Sequence, residues 1–220
     1  MFLFNFRANE INPWYVAIFN FEKKEITHRL IPRSESFYPD LAMIKGRNFT
    51  FANGKHFFSC CNIWGLYQFA NNDFQKIINF DIGSRQVPSG FVNNITATNN
   101  RIKFRELALE KGYVPYLLNS FYFKSHYWII LDDKERSCYS IPEENRNKVF
   151  LNGPVSSYFD LPAVHSLSLP MEVNEDYLVF VAKPTDFIKL FSKSDKMKIK
   201  LGTQQLEIGL EENPFLVVVK

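Results

Sequence analysis

The chain has 220 residues, of which 46% are hydrophobic and 22% charged, and its 26 basic and 23 acidic residues leave a net charge of +3. That length buries a substantial core in one large domain or two small ones. So mild a charge, with Lys and Arg clustered only in the short Lys193 to Lys200 stretch, gives no nucleic-acid footprint, and no apolar window approaches the roughly 18 to 20 residues that span a bilayer.

Composition departs from the ordinary globular range in one respect, 23 Phe beside 10 Tyr. Rings at that density suit sheet faces stacked about 10 Å apart. In chain order, Phe2 to Arg7 reads as a strand entered abruptly. It has no basic n-region, long apolar core or small-residue cleavage site, so it does not read as a signal peptide. The chain is expected either to be a processed or truncated product or to pair this strand with a late one. Trp14 to Glu22 and Glu25 to Pro32 form a hairpin with Lys23-Lys24 at its tip.

Asn48 to Gly83 then reads as three antiparallel strands joined by two turns. Asn53-Gly54 is a strong hairpin signal, because a type I′ turn needs positive φ at both central positions. Asn71-Asn72-Asp73 punctuates the next pair. Ser84 to Asn100 is rich in Pro, Gly and Asn and predicts irregular backbone.

From Arg101 to Lys111 the period changes. Phe104, Leu107 and Ala108 fall at i, i+3 and i+4, Asn99 or Asn100 can cap the start, and Gly112 stands where a C′ residue stops a helix. Val114 to Phe123, His126 to Leu131 and Arg136 to Ile141 return to strands, separated by Lys124-Ser125 and by Asp132 to Glu135. Val149 to Leu151, Ser166 to Leu169, Tyr177 to Ala182 and Phe215 to Val219 complete the strands. Two short helices are expected, Asp186 to Ser192 capped by Thr185 and Gln204 to Leu210 capped by Thr203. The Lys193 to Lys200 run predicts a solvated loop or an edge strand guarded by lysines.

The recurring unit is three or four short antiparallel strands in about 40 to 50 residues, the period of propeller blades. The expectation is an all-β propeller of about four to five blades with a few short helices, residues 1–220 forming one domain. A β-sandwich is the alternative, since it also predicts short strands with turn signals about 8 to 12 residues apart.

Candidate chemistry is sparse. Cys60, Cys61 and Cys138 have no metal-binding spacing, and adjacent strand residues point to opposite faces, so they read as buried thiols with one disulfide to Cys138 open. His28, His56, His126 and His165 are scattered singly, so no metal or cofactor is implied. Asp132-Asp133 suits a hairpin tip better than a calcium site. No G-x-S-x-G elbow, P-loop or dinucleotide fingerprint is present, and no catalytic residue is assigned. Along a strand His56 and Cys60 are roughly 13 Å apart, too far for direct activation. Trp14, Trp64 and Trp128 with Tyr15, Tyr67 and Tyr127 suit either blade packing or stacking on sugar faces. Trp64, beside Gly65, is the candidate ligand-binding residue.

The segment running through Tyr67, Asp73, Ile78, Phe80, Gly83, Arg85 and Pro88 resembles one in Bacteroidetes-type six-bladed β-propeller proteins, an uncharacterised family whose members usually carry a lipoprotein or secretory signal. Its aromatic strand and Asp-Lys hairpin resemble residues 119–141, its closing blade resembles residues 168–190, and its terminal strand resembles Asn213, Pro214 and Phe215 to Val219. The resemblance covers roughly residues 40 to 220 and implies the C-terminal part of a longer propeller. It also implies a periplasmic or cell-surface location. An arc without its N-terminal blades would expose two apolar faces open to self-association. The functional expectation is a non-catalytic binding or scaffolding module for a glycan or protein partner, the alternative being a hydrolase or lyase working in a central channel.

Overall fold

Three two-residue turns with positive φ at both positions set the register of two meanders: Asn53-Gly54 (52° and 68°), Asn71-Asn72 (53° and 61°) and Lys124-Ser125 (48° and 60°). Their twist matches that of the flanking strands, which is why the hairpins close tightly. In the computed structural model the described residues are 2–5, 13–32, 48–60, 63–88, 90–91, 101–146, 149–159, 161, 169–191, 196–201, 204–209 and 213–220.

The first sheet joins β1 (Phe2–Asn5), β2 (Trp14–Asn20) and β3 (Glu25–Pro32) in chain order. Strand β1 pairs with β2, its neighbour, and among the described residues with no late strand. The second sheet is a meander of β4 (Phe49–Ala52), β5 (Lys55–Phe58), β6 (Gly65–Ala70) and β7 (Asp73–Asn79). Asn48 to Gly83 thus holds four strands where the sequence suggested three, because the chain leaves β5 at Ser59 and re-enters at Gly65. The third sheet repeats the meander with β8 (Leu117–Phe123), β9 (His126–Leu131), β10 (Ser137–Pro142) and β11 (Phe150–Pro154). The fourth contains β12 (Glu172–Val173), β13 (Leu178–Ala182) and β16 (Phe215–Val219).

Between β13 and β16 lies a two-stranded ribbon, β14 (Lys196–Leu201) and β15 (Gln204–Gly209). This corrects the helix expected at Gln204 to Leu210. Six consecutive pairs tie the segment to β14, including Lys198 opposite Glu207, and pairing overrides a local helical preference. Lys196 to Lys200 of the lysine run are accordingly strand, paired among the described residues with β15 alone, and residues 193–195 lie outside the described residues.

Helix α1 (Arg101–Glu110) ends as its glycine requires. Gly112 has φ of 79°, its N–H donates to the Leu109 carbonyl (3.1 Å), and the Tyr113 N–H reaches back to Ala108 (2.9 Å), a Schellman termination. The proposed caps Asn99 and Asn100 lie outside the described residues. A single turn, α2 (Val155–Tyr158), follows β11, and α3 (Pro184–Phe191) starts two residues earlier than expected. Pro184 occupies the first helical position, where its missing N–H costs nothing, so Thr185 sits inside the helix and is not its cap.

Packing shows how the sheets are layered. Tyr15, Val16 and Ile31 of the first sheet meet Phe58 and Phe74 of the second. Across its other face the second sheet sends Ala52, Phe57, Leu66 and Ile78 against Leu117, Tyr122, Tyr127 and Ile129 of the third. The third then packs Phe121, Phe123, Trp128 and Ile130 on Val173, Leu178, Phe180 and Val217 of the fourth. Four antiparallel sheets therefore stack face on face in chain order. Of the expected fold class, the all-β character and the few short helices are present.

Polar links reinforce the stack. Ser59 Oγ donates to the Ser120 carbonyl (3.2 Å) and accepts from the Ser120 N–H (3.3 Å), joining the second and third sheets. Asp132 is 3% exposed and takes a two-point contact from Arg105, at 2.8 Å to each oxygen. That bidentate pair anchors α1 to the β9–β10 hairpin. Neighbouring Asp133 accepts from the Ser137 backbone N–H (2.7 Å) and from Arg85 (2.9 Å), so both acids of the pair are engaged in structural contacts.

Candidate functional site

Trp64 lies in a tight bend between β5 and β6, and three backbone hydrogen bonds fix that bend. Ile63 N–H donates to Cys60 O (2.9 Å), Gly65 N–H to Ile63 O (2.8 Å) and Phe80 N–H to Trp64 O (3.1 Å). Gly65 is needed because a Cβ there would stand 2.9 Å from the Ile78 carbonyl and 3.1 Å from the Lys76 side chain. The close approach of β6 to β7 carries the indole to the sheet end, where it is half-buried.

There it lines a cleft of about 360 Å³ between the first and second sheets. Tyr15 and Ile31 form one wall, Trp64 and Tyr67 the other, and Lys76, Asn79, Asp81 and Gln86 supply polar groups. The cleft lies within the usual ligand-pocket range of about 300 to 1,000 Å³. Neither the Trp64 indole N–H nor the Tyr67 hydroxyl makes a hydrogen bond among the described residues. Burial, with Cys60 nearby, pushes the Tyr67 phenol above its ordinary value, so it remains a protonated donor at neutral pH.

Lys76 Nζ is held 3.1 Å from Asn79 Oδ1 and 5.5 Å from the Tyr67 ring centroid, which orders that ring. The rear of the cleft rests on a short 3₁₀ turn, Gly83–Arg85, whose start is held by Asp81 Oδ1 accepting from the Gly83 N–H (2.8 Å). Arg85 clamps this turn to the third sheet through Asp133 and the Tyr139 hydroxyl (3.2 Å), and Val114 N–H donates to Arg85 O (2.8 Å). Gln86 is thereby presented on a rigid support. The arrangement offers two aromatic faces with donors and acceptors at their rim.

The other aromatic candidates go elsewhere. Trp128 is 2% exposed and Tyr127 1%, both inside the core, and Trp128 Nε1 donates to Phe123 O (3.0 Å). Trp14 is half-buried and does not line this cleft. His28 and His56 are exposed, His126 is half-buried, and His165 lies outside the described residues. Among the described residues no three His, Cys, Asp or Glu side chains converge on a metal-sized site. Cys60 and Cys138 are buried free thiols, and burial pushes Cys138 up to about 12, which keeps it un-ionised and inert. Cys61 lies outside the described residues.

Sequence reasoning missed the polar members of the cleft. Gln86 sits in a segment legible only as irregular, Asp81 at the end of the block read as strands, and Lys76 and Asn79 on a strand as ordinary surface residues do.

A second polar cluster joins the ends of β5, β8, β9 and β10. Glu143 accepts from the Tyr122 hydroxyl (2.5 Å) and lies 3.5 Å from Lys55 Nζ, while Arg146 donates to the Tyr127 hydroxyl (3.1 Å) and stacks on its ring. The Tyr122 hydrogen bond is the main cause holding the Glu143 carboxyl below its ordinary value. These groups satisfy one another.

No protein-family model matches the sequence, and no curated protein matches it. Among solved structures the fold is similar to the crystal structure of a presumed exported protein from Bacteroides fragilis, with a TM-score of 0.60 and 12% identity. The match covers 86% of this chain and 53% of that one, so the chain spans about half the length of its structural neighbour. At this identity the likeness is one of fold, mostly antiparallel β-sheet with few short helices.

Proposed function

We propose that this chain is a non-catalytic binding module that takes a glycan in the Trp64 cleft. The observation that carries the reading is the pairing of two aromatic rings whose indole N–H and phenol O–H make no hydrogen bond among the described residues, in one cleft rimmed by Asn79, Asp81 and Gln86. Sugar rings present apolar C–H faces to aromatic side chains and hydroxyls to the polar rim.

The scaffold we propose is a propeller-like arc in which residues 1–220 act as one domain. Its support is the stacking of successive meanders and the meeting of β4, β8 and β12, the first strands of three consecutive sheets. Placement outside the cytoplasm is part of the proposal, supported by the exported structural neighbour. Among the described residues no helix is long and apolar enough to cross a membrane. Leu216 and Val218 on the fourth sheet and Phe21 and Ile26 at the first are exposed, which supports the suggestion that the end sheets meet other copies or a protein partner.

The test is a glycan array followed by titration calorimetry on any hit with the full chain and the Trp64→Ala variant. Loss of a stacking ring is expected to weaken binding about tenfold or more. A hit that binds the folded variant equally well would remove the cleft from the reading.

A further inference from the structure

We propose a second binding site, distinct from the Trp64 cleft, in the cavity where β4, β8 and β12 meet, taking a small neutral molecule of single-sugar size that both donates and accepts hydrogen bonds. The cavity measures about 260 Å³ and is lined by Thr50, Phe51, His56, Asn119, Met171 and Asn174, among others. That is just below the usual range for drug-sized ligands, about 300 to 1,000 Å³. One ring or something smaller fits.

Two of these side chains point to a ligand. Thr50 is 8% exposed and Asn119 5%, and neither side chain makes a hydrogen bond to another described residue. Their polar atoms are not fully enclosed, and both residues line the cavity. Two polar side chains more than nine-tenths buried, from different sheets around one cavity and without a partner among the described residues, are placed to meet one ligand.

Backbone geometry adds to them. Among the described residues β4 pairs only with β5, β8 only with β9 and β12 only with β13, yet the three lie against one another. The cavity is therefore bordered by three strands that, among the described residues, each pair with one neighbour only, and on β8 the Ser120 N–H and C=O beside Asn119 are taken by Ser59 Oγ. A register shift between Leu117 and Asn119 interrupts β8 just where Asn119 enters the lining. The floor is held in shape by Asn174, whose Oδ1 accepts from the Asp176 and Tyr177 N–H groups (2.9 and 3.0 Å), and by Glu175, which accepts from Gly54 N–H (3.1 Å).

The ligand class follows from the donor set. The Thr50 hydroxyl and the Asn119 carboxamide each donate and accept, and Glu172 on the same lining adds an acidic group, a set that matches hydroxyl or amide groups better than phosphate or a carboxylate. Phe51 and Met171, exposed by 50% and 52%, give the cavity an apolar lip suited to C–H groups.

Isotope-labelled full-length chain titrated with N-acetylglucosamine and, separately, with glycerol tests this by NMR. The expected result is a saturable shift of the Asn119 side-chain amide and the His56 ring with at least one probe. Thr50→Val, which keeps the shape and removes the hydroxyl, is expected to weaken that response about three- to tenfold. Asn119→Leu should abolish it; if that variant does not fold, Thr50→Val decides. An Asn119 amide that moves with neither probe, or a folded Thr50→Val variant of unchanged affinity, overturns the proposal. The Trp64 indole N–H reports the cleft separately, so either site can fail alone.

Discussion

The third and fourth sheets are built from similar residues but carry different burial patterns. In the third, β8 is buried at all seven positions and β9 at five of six, because neighbours cover both faces. In the fourth, β13 alternates buried and half-buried positions, and on β16 Val217 is covered while Leu216 and Val218 stand 65% and 52% exposed. A period of two in burial marks a sheet packed mainly on one side, and its absence marks a sheet packed on both. In this chain the number of neighbours, more than the residue type, sets what a strand position is worth.

The largest effect should therefore come from the doubly covered sheet. Phe121→Ala removes a ring that is fully buried between the third and fourth sheets, and is expected to cost about 3 to 5 kcal/mol in urea unfolding. Next is Asp132→Ala. It leaves Arg105 without its two-point partner beside a buried hairpin, with an expected loss of about 2 to 3 kcal/mol because the arginine keeps some access to water.

A smaller, pH-dependent effect belongs to the Glu143 cluster between the second and third sheets. The folded carboxyl is held below its ordinary 4.5, so its contribution is fully present above that pH and fades as pH falls through the lowered value. Glu143→Gln is expected to flatten this acid limb while costing less than about 1 kcal/mol at pH 7. An acid limb unchanged in the variant would assign the titration elsewhere, with Asp133 the next carboxylate to replace. The smallest effect is Leu216→Ala on the exposed face, within about 0.5 kcal/mol. If it costs as much as Phe121→Ala, the contrast between the two sheets collapses.

The candidate sites differ in how far the sequence revealed them. Trp64 was legible from the sequence as the first aromatic candidate, beside Gly65, to line an open surface, and the structure places it half-buried at a cleft. The rim residues Lys76, Asn79, Asp81 and Gln86 were not, since each has an ordinary local reading. Thr50 and Asn119 were less legible still. They are single polar residues in aromatic strands, and their significance arises only where three sheet edges meet.

Short-range chemistry determined what the sequence could determine: the turns at Asn53-Gly54, Asn71-Asn72 and Lys124-Ser125, the stop at Gly112, and most strands. These depend on φ and on side-chain period within a few residues. Tertiary structure decided that Gln204–Gly209 is a strand, that Asp132 and Asp133 hold arginines, and which polar side chains share a cavity. Each depends on partners brought close by the stacking of sheets, and pairing energy gained across that distance outweighs the local preference that the sequence displays.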